Sequence, residues 1–249
     1  MLDPARYHAI TFDCFGTLID WETGIVRALE ALFARDDTPI PDPSELLSLY
    51  ARFEPAAQRG DYRTYRKILA QVTCEIATHY GVDLASGQEN LLADSIATWP
   101  IYTDTPKTLA ALHEHYDLAI LSNIDRDLFA PVCARLTNEY AFDFAAVITS
   151  QDTQSYKPAI GHFWQAMQTL DLPGARLLHV AQSLYHDIVP AQSLGISTVW
   201  INRNGISLGA TDESHTANGA TPAIDLPENV GPDIELPDLA SLAHLLCAI

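Results

Sequence analysis

Four short, unbroken apolar runs in the second half of the chain restrict its fold more than any other feature. Residues 105–115 read as a helix before Leu118-Ala119-Ile120-Leu121, and residues 127–136 as a helix before Ala145-Ala146-Val147-Ile148. A helix over 159–170 precedes Leu177-Leu178-His179-Val180, and one over 188–194 precedes Ser197-Thr198-Val199-Trp200-Ile201. Strands that stay apolar on both faces and alternate with helices belong in a parallel sheet covered on both sides. A fifth such run starts near Tyr7, far upstream. Between it and the array, residues 22–99 carry helical signals alone. Ile25, Leu29, Leu32 and Phe33 repeat at helical spacing, and Asp42-Pro43-Ser44-Glu45 is a helix start. A long helix over 62–80 ends at Gly81, and a shorter one covers 89–97. The fold expected is α/β: a Rossmann-like parallel sheet core, residues 1–20 and 100–249, with helices on both faces. An all-helical cap, residues 21–99, is inserted after the first strand. Residues 202–237, rich in Gly, Pro, Asp and Asn, read as irregular surface chain, and 239–246 as a final helix.

The ends of these strands carry the polar residues. The first strand runs Ile10-Thr11-Phe12 into Asp13 and breaks at Gly16-Thr17. In a parallel sheet the C-terminal strand ends open into the ligand crevice, so Asp13 is delivered where chemistry happens. A carboxylate held there can act as a nucleophile and form an ester that water hydrolyses. Phe15, two residues on, is informative because it is not an acid: two acids at that spacing suit a divalent cation, and one acid plus a phenyl ring does not. The second strand ends in Ser122 and Asn123. The third is followed by Ser155-Tyr156-Lys157-Pro158, and the fourth by Gln182, Ser183 and Asp187. Cys14 alternates to the opposite side of the strand from Asp13 and reads as a small packing residue.

Composition narrows the partners. A net charge of −18 repels nucleic acid, and Lys and Arg total only 14, so an anionic substrate needs local positive charge. Cys14, Cys74, Cys133 and Cys247 lack the paired spacing of a disulfide framework or a zinc site. No apolar run is long enough to span a bilayer, and the N-terminus reaches a strand without a secretory leader. The expectation is a cytoplasmic protein with no membrane or nucleic-acid partner.

Taken together, Asp13, the Ser122 pair, Lys157 and the Asp187 cluster resemble the four ordered motifs of the haloacid dehalogenase superfamily, and the resemblance covers essentially the whole chain. Most members are magnesium-dependent phosphatases with a second acid where this chain has Phe15. Their fourth motif typically reads Gly-Asp-Ser and then Asp, where this chain has Ala181-Gln182-Ser183 and then Asp187. With a metal ligand and a general acid both replaced, the chain looks like the L-2-haloacid dehalogenase branch, which uses neither metal nor other cofactor. The resemblance implies Asp13 as nucleophile, with Asp187 and Lys157 serving the hydrolytic water. It implies a small anionic organic substrate held by Thr17, Ser122, Asn123, Phe15, Arg52 and Ser183, and it allows a homodimer. The chain departs from that branch where Leu49 replaces a halide-cradling Arg (Arg52 lies one turn on), where Phe163 replaces a Tyr, and where Leu184 replaces an Asn. These departures bear on the halide pocket, and a ring-opening or defluorinating hydrolase stays open.

Plainer roles compete at several positions. Asp13 could form a turn, Lys157 could lie on the surface, and Ser122, Asn123 and Asp187 could cap helices. His186 points away from Asp187 along the chain and reads as structural. Arg52 could belong to a solvated face, and Phe15, Trp21 and Trp99 to the core rather than a pocket. Beside the dehalogenase stand a magnesium phosphatase and a retired fold that binds a small anion or a protein.

Overall fold

The computed structural model describes residues 2–34, 39–138, 141–206 and 231–247. Its sheet has six strands: β1 (Ala9–Phe12), β2 (Asp117–Ser122), β3 (Ala146–Thr149), β4 (Leu177–Ala181), β5 (Ser197–Ile201) and β6 (Ile234–Leu236). They lie in the order β3-β2-β1-β4-β5-β6, and every pairing is parallel. This doubly wound order reverses direction between β1 and β4, and the crevice at such a reversal is where open α/β sheets bind ligands. Asp13 follows β1 and Asp187 follows β4, so the topology alone brings the two acids to one crevice.

After β1 the described residues form the α-helices α1 (Trp21–Phe33), α2 (Pro43–Ala57), α3 (Tyr65–Tyr80) and α4 (Leu91–Ser95). Further on come α5 (Thr105–His113), α6 (Arg126–Thr137), α7 (Ser150–Thr153), α8 (Gly161–Thr169), α9 (Val189–Ser193) and α10 (Leu239–Cys247). β1 is buried at every position, as a central strand covered on both faces must be. Cys14 joins the apolar core built under the inserted helices, beside Leu18, Ile25 and Leu29.

The inserted helices are tied over the strand ends by polar contacts. Thr64, at the start of α3, makes no side-chain cap bond. Asp125, from the loop after β2, fills that place: its carboxylate accepts from the Tyr65 and Arg66 backbone N–H groups, each at 2.9 Å. An acid at a helix N-terminus satisfies two otherwise orphaned donors and meets the positive end of the dipole. The Tyr156 hydroxyl donates to the Arg63 carbonyl at 2.8 Å, adding a second tie one residue before Lys157.

One sequence expectation changes here, and one gains a feature. Residues 234–236 are a strand, not irregular chain. Its three residues are too few to show a period, and Asp233 sets the register by accepting from the Thr198 backbone N–H at 2.8 Å. Residues 207–230 of that stretch lie outside the described residues. The expected 188–194 helix is present as α9, and a π-type turn over Leu184–Ile188 leads into it. Wide turns of this kind re-aim side chains and recur at functional sites.

Candidate active site

At the centre of the crevice, a buried ammonium holds two carboxylates together. Lys157 is 1% exposed, and its Nζ donates to Asp13 Oδ1 at 2.8 Å, to Asp187 Oδ1 at 2.6 Å and to the Leu121 carbonyl at 2.8 Å. An ammonium has three protons, and all three are used. Burial alone would push the Lys157 pKa down. The charges of Asp13 and Asp187 outweigh it and hold the ammonium above its ordinary value.

The two acids then part ways. Burial pushes the Asp13 carboxyl up, with Asp187 adding to the push and Lys157 opposing it. Asp187 also resists burial, but Lys157 and a hydrogen bond from His179 bring it down to about 2. Environments that drive two carboxyls apart in this way separate their roles. Asp187 is a fixed anion, and Asp13 is the more basic of the two.

His179 was not singled out from the sequence, where it sits inside an apolar strand. It is fully buried, with Nε2 3.1 Å from Asp187 Oδ1 and Nδ1 2.8 Å from Thr11 Oγ1. An ionised Asp187 can only accept, so the network assigns the proton to Nε2, and Nδ1 accepts from the Thr11 hydroxyl. Phe163 packs its ring against His179 at 5.0 Å between centroids. The side chains of β1 and β4 therefore fix the orientation of Asp187 from below.

Above the strand ends lies a cavity of about 470 Å³, within the range of small-molecule sites. Asp13, Phe15, Ser122, Asn123, Lys157, Ser183 and Asp187 line it from the sheet side. Trp21, Tyr50, Glu54, Gln58 and Tyr65 line it from the inserted helices, with Trp99 beside Phe15. Phe15, Trp21 and Trp99 are thus pocket walls. Ser122 Oγ is buried there and has no hydrogen-bond partner among the described residues, so it is a donor in waiting.

Some expected contacts are placed differently. Arg52 is exposed and lies over the ring of its neighbour Phe53 at 4.8 Å, so it is not a cavity residue; it points from the solvent side of α2. Leu49 is buried in the apolar core and lines nothing in the cavity. Thr17 is fully buried beneath Asp13 rather than in the cavity wall. Its hydroxyl donates to Asp13 Oδ2 at 3.0 Å and accepts from the Gln182 backbone N–H at 2.9 Å, which makes it a positioning residue. Gly16 permits this turn: its φ is +95°, and an added Cβ would lie 3.1 Å from the Gln182 side chain. Asn123 lines the cavity, but its amide bridges both ways to the Lys157 backbone, at 2.7 and 3.1 Å, and so anchors the lysine. Ser183 Oγ accepts from the His186 backbone N–H and lies 3.1 Å from its Nδ1. His186 does line the cavity, and burial brings its imidazole down to about 4, so it is neutral at pH 7.

The family model for haloacid dehalogenase-like hydrolases matches residues 7–195. The chain belongs to that family. The haloacid dehalogenase-like hydrolases share its fold closely. The L-2-haloacid dehalogenase PA0810 superposes with a TM-score of 0.76 at 24% identity, covering 98% of this chain and 100% of that one. The L-2-haloacid dehalogenase from Xanthobacter autotrophicus with chloropropionic acid covalently bound gives 0.78 at 19%, over 98% and 99%. The HAD-hydrolase YfnB from Bacillus subtilis bound to magnesium gives 0.74 at 18%, over 97% and 99%. The haloacid dehalogenase-like hydrolase domain-containing protein 3 of Danio rerio is 29% identical over 108 residues, 42% of this chain and 43% of that protein. The match thus spans less than half of that curated relative.

One of these haloacid dehalogenase-like structures is bound to magnesium. Asp13 and Asp187 are both paired with an ammonium, and Phe15 and Gln182 stand where further acids would be needed. Among the described residues, no group of three or more His, Cys, Asp or Glu is placed to hold a metal ion. Such a set fits magnesium poorly, since magnesium wants near-octahedral oxygen ligands. Among the described residues, no helix is long and apolar enough to cross a membrane.

The buried imidazole of His162 should make the fold of this haloacid dehalogenase-like hydrolase sensitive to acid. His162 lies fully buried under Ser122, with Nε2 3.3 Å from its carbonyl, and burial together with Lys157 brings its imidazole from 6.5 to about 3. The unfolded chain binds this proton below pH 6.5, while the folded chain refuses it until about 3. Stability is therefore complete above 6.5 and falls by about 1.4 kcal/mol per pH unit in that window. Urea unfolding from pH 7 to pH 5 should show His162→Gln losing about 2 kcal/mol less than the parent. Parallel curves would remove His162 as the cause.

Proposed function

We propose that this protein is a hydrolytic dehalogenase that displaces halide from short 2-haloalkanoic acids and releases 2-hydroxy acids without a metal. The observation that carries this reading is the pairing of one basic, cavity-facing carboxylate with an ammonium, beside a phenyl ring in place of a second acid. Substitution at a saturated carbon needs a partly desolvated carboxylate aligned with the bond that breaks. Asp13 is buried but open to the cavity, and Thr17 and Lys157 fix both its oxygens. Lys157 holds Oδ1 with a charge-assisted bond, whereas Oδ2 has a neutral hydroxyl, so Oδ2 is the freer attacking atom. Its lone pair forms the new C–O bond while the halide leaves with the old bonding pair.

The second step reuses the same contacts. With Oδ2 esterified, Oδ1 is the carbonyl oxygen, and Lys157 stabilises the negative charge that builds on it as water attacks the Asp13 carboxyl carbon. Asp187 and the neutral His186 line the cavity and accept hydrogen bonds from that water. Ser122 Oγ offers its unused proton to the substrate carboxylate. Phe15, Trp21 and Trp99 keep the reacting carbon dry. The covalent chloropropionate in the Xanthobacter neighbour supports the reading by analogy of fold.

One paired assay tests it. Chloride should be released from 2-chloropropionate in the presence of a chelator. Phosphate release from a monoester only with added magnesium would replace this reading with phosphoryl transfer, and silence in both assays would point to a binding fold or to another carbon substrate.

A further inference from the structure

In-line displacement sends the leaving atom directly away from Asp13, hence away from the strand ends and into the wall built by the inserted helices. That wall carries an acid rather than a buried cation. Tyr50 and Glu54 fall at i and i+4 on α2, Gln58 caps its C-terminus one further turn on, and all three line the cavity with Tyr65. Among the described cavity residues, the guanidinium on this side is that of Arg59, which is exposed at the rim.

We propose that the carboxyl group of Glu54 gives its proton to the leaving atom as Asp13 displaces it, so that the site is suited to leaving atoms that need a proton or a strong hydrogen bond: fluorine, oxygen or nitrogen rather than chlorine or bromine. The proposal rests on the reading of Asp13 as a nucleophile at carbon. Its balance is simple. The Asp13 Oδ2–carbon bond forms, the carbon–leaving-atom bond breaks with its pair going to the leaving atom, and the Glu54 proton joins that atom. Glu54 is left as a carboxylate. Water then cleaves the ester, and the proton released on regenerating the Asp13 carboxylate restores Glu54.

Two features of the wall support this assignment. Glu54 sits among groups that do not neutralise it: the hydroxyls of Tyr50 and Tyr65, 2.8 Å apart, the Gln58 amide, and Tyr156 from the core. Burial raises its carboxyl to about 7, so a large share is protonated at neutral pH. The Gln58 Nε2 donates to the Glu54 carboxyl and would hold the charge once the proton has left. A solvated-face glutamate would have neither property.

The test compares 2-fluoropropionate with 2-chloropropionate for the parent and Glu54→Gln, with halide release as the readout. The variant keeps the shape and the hydrogen-bond capacity but holds no transferable acid proton. Its kcat/KM for fluoride should fall about 100-fold more than for chloride. In the parent, fluoride release should decline as pH rises through about 7, with a shallower decline for chloride. An equal loss with both halides, or a parent that releases chloride and no fluoride, would overturn the role of Glu54 and leave Asp13 intact. A parent that releases neither would remove the nucleophile reading and this proposal together.

Discussion

Asp13→Asn should lower kcat/KM for 2-chloropropionate by at least about 10⁴-fold while raising the thermal midpoint. Both halves follow from the same group. The buried cluster of Asp13, Lys157 and Asp187 carries one net negative charge, and the asparagine removes it while Lys157 keeps Asp187 as its partner. A carboxyl raised in the fold contributes stability below its ordinary pKa and loses it as pH rises through the raised value. Asp13 is held up by burial and by Asp187, so at pH 7 its ionised form weakens the fold it serves. Calorimetry beside halide release checks the pair of effects. A lower midpoint together with lost activity would mean that Asp13 is a structural anchor rather than a nucleophile.

Lys157→Met should do the opposite to stability and the same to activity. It leaves two buried carboxylates facing each other with no counter-charge, which costs about 3–5 kcal/mol when one partner of a buried pair is removed. Turnover should fall at least about 100-fold, because the donor to the ester carbonyl is gone. Adding Asp187→Asn to Lys157→Met should recover part of the stability, since one of the stranded charges disappears. Contacting groups in one network are non-additive by about 0.5–3 kcal/mol, and a double-mutant cycle in urea measures that coupling. Strict additivity would show that the three side chains do not share their charge.

The sheet was legible because its strands are apolar on both faces and end abruptly in polar residues. Asp13, Lys157 and Asp187 stood out for the same reason. Thr11 and His179 did not, because they lie inside strands where periodicity points to packing, and only the pairing of β1 with β4 places them side by side. Charge alone does not separate Arg52 from Glu54, because on a cap helix a charge usually marks a solvated face. Two residues apart, they lie on nearly opposite faces of α2, and which of them turns inward depends on how that helix packs over the strand ends, not on either side chain's type. β6 was too short and too polar to show itself.

A single turnover in heavy-oxygen water, with excess enzyme over 2-chloropropionate, follows the atoms themselves. If the carboxylate at the end of β1 attacks carbon, the first hydroxy acid released carries ordinary oxygen, and the heavy isotope appears in the peptide containing Asp13. Heavy oxygen in that first product, with none in the peptide, would mean that water attacks carbon directly and that no ester is formed.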